Sequence, residues 1–268
     1  MQTRPVDGST LLYGIVGDPI AAVRSPEVFN AMFARSGVNA VLVPLHVAQD
    51  DIAAAWAGLT SIRNLQGLVV TMPHKASVVA LLDEVGTAGQ IVGAVNTARR
   101  GPDGRWVGDM FDGAGFVDGL RSEGHAPQGW HVCLWGVGGA GTAIAVALAQ
   151  AGVASLSLRD RDLARRDELC RRLQRHFPQL RLGTAAQTGE RFDAVVNATP
   201  LGMQSGDPLA FDPATLPQET LVVDVITKPE ITPLLQRALQ TGHRVHSGRH
   251  MHLGQARRAA AFLGYQLD

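Results

Sequence analysis

The sequence predicts an α/β fold of two domains, and three observations carry that prediction. Apolar runs of strand length alternate with segments of helical composition from Leu11 towards the C-terminus. The chain has 268 residues, room for one large domain or two of ordinary size. One predicted strand, His131–Trp135, runs straight into Gly136-Val137-Gly138-Gly139-Ala140-Gly141 and then into the alanine-rich helix Thr142–Gln150. Strand, G-x-G-x-x-G and helix in that order form the dinucleotide-binding fingerprint of a Rossmann domain. One glycine makes the turn, one lets the backbone approach a pyrophosphate, and one packs the helix on the strand. The N–H groups and dipole of the helix's first turn attract phosphate. Glycine supplies 30 of the 268 residues, so the pattern alone would also suit an ordinary βαβ turn. Context favours the fingerprint. A second strand, Ala154–Leu158, follows at βαβ spacing, and Asp160 stands just past it, where an acid can hold an adenosine ribose.

Composition removes several classes of function. Lys plus Arg number 24, as do Asp plus Glu, so the formal net charge is zero. There is no basic surplus for nucleic acid and no polybasic run for a membrane surface. An apolar fraction of 46% supplies a substantial core. The two cysteines, Cys133 and Cys170, fall inside a predicted strand and a predicted helix, which argues against a disulfide framework and fits a reducing compartment. The N-terminal residues lack the apolar core of a signal peptide, and no apolar run approaches membrane-spanning length. The expectation is a cytoplasmic globular protein with a small-molecule partner, without nucleic acid or membrane, as a monomer or homodimer.

Taken in order, Leu11–Gly17 reads as a buried strand and 18–25 as a loop. Ser25-Pro26-Glu27 is a good helix start, with Ser25 as N-cap, and Val28, Met32 and Phe33 form its apolar stripe. Ala40–Leu45 is a second strand, 51–59 a second helix and Leu68–Met72 a third strand, with Pro73-His74-Lys75 opening another helical segment. Gly93–Thr97 and Arg105–Gly108 read as a strand pair across the turn 101–104. Asp112 caps a helix over 113–121. The second half continues with strands at Asp193–Asn197 and Leu221–Ile226, a weaker one near Leu180–Leu182, and a helix capped by Thr232. A last helix at 253–263 is too isolated to extend the second sheet and returns to the first domain. The boundaries fall near Asp112 and Gly248: residues 1–111 with 249–268 form one domain, and 112–248 the Rossmann domain.

Few side chains declare chemistry by themselves. Lys75 and Thr71 stand at the C-terminal end of a predicted parallel strand, where open α/β sheets bind ligands. A solvated terminal cation is the plain reading of Lys75, and an N-cap that of Asp112. Asn96 is harder to set aside, because an amide in an apolar strand needs partners. His243, His246, His250 and His252 lie within ten residues, but without cysteines or H-E-x-x-H spacing they read as a solvated strand and loop rather than a metal site.

The order of motifs resembles the shikimate/quinate dehydrogenase family over nearly the whole chain. The matching stretches are Gly17–Ile20 with Ser25-Pro26, Val70–Lys75, Gly93–Thr97, Asp112-Gly113, Gly136–Ala140, Asn197–Met203, Thr232–Leu235 and Gly248…Met251…Gln255. The resemblance implies an N-terminal substrate domain, a Rossmann domain and a cleft between them. It makes Lys75 and Asp112 the catalytic pair facing the alcohol that is oxidised, with hydride passing reversibly between NAD(P) and a hydroxylated cyclohexene or cyclohexane carboxylate. A lysine can take the hydroxyl proton if its pKa is lowered, and a carboxylate can orient it. The substrate positions implied are Val23, Ser25, Thr71, Asn96, Thr227 and Gln255. The cofactor positions are Gly136, Val137, Gly138, Gly139, Ala140, Asp160, Arg161, Asn197, Ala198, Thr199, Pro200, Met203, Val225 and Gly248.

The chain also departs from the family's pattern. Val23 replaces one of two serines that hold the substrate carboxylate, Met110-Phe111 replaces Asn-Thr, and Thr227 replaces a tyrosine. Asp160-Arg161-Asp162 replaces Asn-Arg-Thr. A carboxylate at the ribose favours NAD and repels the 2′-phosphate of NADP, while Arg161 pulls the other way; the expectation is NAD, with NADP also accommodated. The rival readings are a dinucleotide-binding regulator without catalysis and a dehydrogenase of an unrelated small alcohol, which the apolar Val23, Met110 and Phe111 would suit.

Overall fold

The computed structural model describes residues 6–21, 23–184 and 191–266. The chain divides into two compact units, residues 1–111 with 256–268, and residues 112–255. The first contains β1 (Leu11–Gly17), α1 (Ser25–Arg35), β2 (Ala40–His46), α2 (Ile52–Ser61), β3 (Leu65–Val70), β4 (Glu84–Val85), α3 (Thr87–Val92), β5 (Thr97–Arg100) and β6 (Trp106–Asp109). Its sheet has the order β2-β1-β3-β5-β6-β4. β1 is parallel to β2 and β3, and β5 alone runs against its neighbours β3 and β6. Successive residues of the central strands enter opposite cores, as the period of two requires. Ile15 and Val69 pack with Phe29, Phe33 and Leu263, whereas Val16 and Val70 pack with Trp56 and Trp106. Burial on both faces explains why these strands read as continuous apolar runs.

The second unit contains α4 (Asp112–Ser122), β7 (His131–Trp135), α5 (Gly139–Gln150), β8 (Ser155–Arg159), α6 (Leu163–His176), β9 (Arg181–Gly183), β10 (Ala194–Asn197), β11 (Leu221–Asp224), α7 (Pro233–Gln240) and β12 (Val245–His246). The last helix, α8 (Gly248–Phe262), begins in this unit. All six strands are parallel in the order β12-β11-β10-β7-β8-β9, which is the doubly wound Rossmann arrangement. The order reverses between β7 and β10, so the carboxyl ends of these two strands open the crevice where such sheets bind ligands. Among the described residues no helix is long and apolar enough to cross a membrane.

Several local expectations are corrected. Arg24, not Ser25, occupies the N-cap of α1, and Ser25 is its first helical residue. Pro73-His74-Lys75 opens no α-helix: 72–76 is a turn leading into a short 3₁₀ stretch at Ser77–Leu81. Gly93 does not begin a strand; at φ 74° it closes α3 in the left-handed conformation that glycine tolerates, and β5 starts at Thr97. α8 starts five residues earlier than expected, and the contact boundary along it falls between Gln255 and Ala256. His243 and His246 are buried rather than solvated, because β12 is tucked beside β11. Among the described residues no cluster of His, Cys, Asp or Glu is arranged to hold a metal ion.

Candidate functional site

In the second unit a cavity of about 640 Å³ opens at the carboxyl end of the sheet, within the range of cofactor pockets. Of the expected cofactor residues, Gly136, Gly138, Asp160, Arg161, Ala198, Thr199 and Pro200 line it. Val137, Gly139, Ala140, Asn197, Met203, Val225 and Gly248 do not. The glycines divide the work as expected. Gly136 has φ 88°, and a Cβ there would come within 2.8 Å of the Ala198 carbonyl. A side chain on Gly138 or Gly139 would meet only open space, whereas one on Gly141 would collide with the Gly136 carbonyl. The first bonded amide of α5 is Thr142, which donates to the Gly138 carbonyl at 2.8 Å. The amides of Gly139, Ala140 and Gly141 are therefore the donors at the helix mouth.

Asp160 behaves differently from the sequence expectation. Its side chain is 5% exposed and accepts from Val137 N–H (2.7 Å), Asp162 N–H (2.8 Å) and the Arg165 guanidinium (3.0 Å). Burial alone would raise its pKa, but these bonds outweigh burial and hold the carboxyl below its ordinary value. It braces the glycine loop while lining the cavity. Sequence reading also missed Arg159, Arg165 and Arg166, which line the cavity beside Arg161. The signal was present in Arg159-Asp-Arg-Asp-Leu-Ala-Arg-Arg166, four guanidinium groups within eight residues.

Beside the cavity, Asn197 and Asp224 end β10 and β11 and are fully buried. The Asn197 Oδ1 accepts from the Thr199 amide (3.0 Å) and hydroxyl (2.6 Å), which shapes the turn carrying Ala198 and Pro200. Asp224 accepts from Ile226 N–H (3.0 Å) and from the Thr232 hydroxyl (2.7 Å), and burial pushes its pKa up. The same Thr232 oxygen caps α7 by accepting from Leu235 N–H. Asp207 accepts from Gly202 and Gln204 N–H, holding the loop on which Met203 lies 59% exposed. Val225 N–H donates to the Asn197 carbonyl, and Gly248 sits so close to the Val225 carbonyl that a Cβ would collide with it. Asp112 is buried at the first position of α4, Gln255 is half-buried on α8, and Thr227 is exposed. Gly115 and Gly254 let α4 and α8 touch backbone to backbone beside Gln255.

In the first unit, reversal of β5 brings Asn96 to the same edge as the carboxyl ends of β1 and β3. Asn96 is fully buried; its Oδ1 accepts from Phe111 N–H at 3.0 Å and from the Thr97 hydroxyl at 3.3 Å. Its carbonyl accepts from Val70 N–H, and Lys75 is tied alongside by Val95 N–H donating to the Lys75 carbonyl. Thr71 follows β3, its methyl packed over Gly17 and its amide donating to the Val16 carbonyl at 2.9 Å. Both Lys75 and Thr71 are half-buried. Val23 packs partly buried against the core of Tyr13, Phe29 and Phe33, and Arg24 pairs with Glu27 at 3.1 Å. Part of the apolar Val23 side chain is thus used for packing.

Comparison with known proteins agrees with this layout. A family model described as the shikimate dehydrogenase substrate binding domain matches residues 15–98. A protein of Rubrobacter xylanophilus named shikimate dehydrogenase (NADP(+)) is 38% identical over 244 residues, covering 89% of this chain and 84% of that protein. Shikimate 5-dehydrogenase of Listeria monocytogenes, solved in complex with shikimate and NAD, superposes with a TM-score of 0.90 at 28% identity, covering 99% of this chain and 96% of that one. Quinate dehydrogenase of Corynebacterium glutamicum, solved with NAD, gives 0.87 at 29% identity, covering 97% and 95%.

Proposed function

The chain belongs to the shikimate dehydrogenase family, and we propose that it is an oxidoreductase for the secondary alcohol of a hydroxylated cyclohexene or cyclohexane carboxylate, shikimate or quinate. The observation that carries the reading is the cavity of the second unit, with its glycine loop, its helix mouth and its four arginines. These groups fit a nicotinamide dinucleotide: the loop amides face a pyrophosphate, and Gly138 leaves room for it. When bound, that cofactor supplies the hydride acceptor and donor. Residues 1–111 with the end of α8 serve the substrate, and the Rossmann unit serves the cofactor.

For the cofactor we favour NADP. Arg165 neutralises Asp160, and Arg161 has no ion pair among the described residues, so the cavity presents more positive than negative charge to a 2′-phosphate. The Rubrobacter relative is named for NADP(+). One observation keeps NAD as the second reading. A carboxylate has about four acceptor directions, and the three bonds to Asp160 leave one for a ribose hydroxyl.

The residues' own chemistry follows. Oxidising an alcohol requires a group to take the hydroxyl proton, and Lys75, in its uncharged form, accepts it. Asp112 accepts a hydrogen bond from the reacting hydroxyl. Because the Asn96 oxygen is already engaged, Asn96 acts toward a ring hydroxyl as a donor, and Thr71, Ser25 and Gln255 complete the polar lining. The test is steady-state oxidation of shikimate, quinate and a simple aliphatic secondary alcohol with NADP and with NAD. The expected result is turnover of a cyclic hydroxy acid with NADP ahead of NAD. Tight NADPH binding with no turnover of any cyclic acid would favour a non-catalytic regulator, and preference for the aliphatic alcohol would favour the other rival.

A further inference from the structure

We propose that His74 is the positioning residue for Lys75, holding the lysine through a side-chain bond that spans the sheet edge. The inference rests on the reading of Lys75 as the proton acceptor. His74 is fully buried, and its Nε2 donates to the Val47 carbonyl at 2.8 Å, a partner that can only accept. Its Nδ1 is buried with no hydrogen-bond partner. A phenylalanine would fill a similar volume without burying an unpaired nitrogen, so the imidazole is accounted for by its one bond.

What that bond does follows from strand order. β1 lies between β2 and β3, so the segments leaving β2 and β3 have no backbone ladder in common. The β3 exit is laced to β1 by Thr71 N–H to the Val16 carbonyl and by Asp18 N–H to the Met72 carbonyl, both 2.9 Å. The β2 exit is laced to β1 by Val47 N–H to the Gly17 carbonyl at 3.3 Å. Only a side chain reaching over β1 can close the third side, and His74 is that side chain. Lys75 is the next residue, in a turn whose backbone is closed locally by His74 N–H to the Thr71 carbonyl and by Val78 N–H to the His74 carbonyl, both 3.0 Å. These bonds tie it to β3 and to the following 3₁₀ stretch but not to the β2 exit. On its other side the Lys75 carbonyl is held by Val95 N–H at 2.8 Å, next to Asn96. The His74 side-chain bond adds the anchor to the β2 exit that the backbone bonds of the turn do not supply. It so trims where Lys75 stands relative to Asn96, the kind of sub-ångström placement on which proton transfer depends.

The test compares His74→Phe, His74→Gln and His74→Asn with Lys75→Ala, measuring kcat, KM for shikimate and NADPH affinity. Glutamine can place a donor where Nε2 stands, asparagine is too short, and phenylalanine has none. His74→Phe should lower kcat at least tenfold and change KM less than threefold. His74→Gln should recover kcat to within about threefold of the parent. NADPH affinity, read in the other unit, should stay within twofold and reports that the variants are folded. If His74→Phe loses NADPH binding, the Gln and Asn variants carry the test, and equal kcat in those two overturns the proposal. Parental kcat in His74→Phe overturns it as well. An active Lys75→Ala instead overturns the reading on which it rests, whereas an inactive Lys75→Ala beside a fully active His74→Phe overturns the positioning role alone.

Discussion

The two sheets have six strands each, but they build polar sites by different means. In the second unit every strand pair is parallel, so all carboxyl ends point one way and the loops leaving β7, β8 and β10 line one cavity, glycine backbone from the first and arginines from the second. Gly136 and Gly138 line the cavity without side chains, and Gly141 lets the helix start close against the Gly136 carbonyl. In the first unit β5 is reversed, and the start of one strand meets the ends of two others. That junction gathers side chains, Asn96, Thr71 and Lys75, each fixed by bonds to a different segment. The glycine loop is one contiguous motif; the side-chain junction needs several distant segments to converge.

Four experiments would break or sharpen this contrast. The largest effect is expected in the side-chain site. Lys75→Ala should lower turnover by on the order of 10² to 10⁴, the scale for losing positioned proton transfer, with NADPH affinity within twofold of the parent. Steady-state kinetics beside a fluorescence titration of NADPH separate the two quantities.

The second unit has an acid-sensitive point that its cavity does not use. His246 is 3% exposed, stacked on His250 at 4.7 Å and edge-on to His125 at 6.1 Å. Burial, then the charges of His250 and His125, push its pKa down to about 4 from an ordinary 6.5. The unfolded chain thus takes up a proton before the native one does, so the stabilising difference is complete above pH 6.5 and is lost as pH falls towards 4. The loss amounts to about 3 kcal/mol, at about 1.4 kcal/mol per unit of pKa. His125, also shifted down by burial and by Arg244, has the same sign. Urea unfolding at pH 7 and pH 4.5 checks this, and His246→Phe should flatten the dependence.

A smaller effect tests the glycine loop. Gly141→Val would drive a branched side chain into the Gly136 carbonyl and should cost about 2 kcal/mol of stability, as overpacking does, together with at least tenfold in NADPH affinity. Unfolding curves and titration measure the two losses, and an unchanged affinity would mean the loop geometry does not govern the phosphates. The smallest change concerns charge. Asp160→Asn removes the carboxylate that neutralises Arg165 and should raise the preference for NADP over NAD by about tenfold in kcat/KM, close to 1.4 kcal/mol. A fall in that ratio would show that Arg165 needs its acid in order to face the phosphate.

Legibility in the sequence tracked the same contrast. The glycine loop, its helix and the following strand were readable to within three residues, because local sterics and a single motif specify them. Thr232 as the α7 cap was readable for the same reason, its partner lying three residues away. Ser25 was not, since Arg24 takes the N-cap position with no side-chain bond to mark it. Gly93 was read as strand because its apolar neighbours resemble one, whereas its left-handed conformation ends a short helix. For Asp160 the sequence shows an acid beside the loop but not its protein partners: nothing local reveals that Val137, 23 residues earlier, donates to its carboxylate.

The sequence by itself determined the alternation of strands and helices, the doubly wound half with its phosphate loop, and the family to which the chain belongs. Each depends on spacing within a few residues, where backbone sterics and hydrophobic period act directly. Tertiary structure alone decided that β5 runs backwards, that His74 reaches across β1 to Val47, that Asp160 is engaged by the Val137 amide, and that His246 is buried beside His125. These are pairings between segments far apart in the chain, fixed by which surfaces bury together and which buried polar atoms must then find partners.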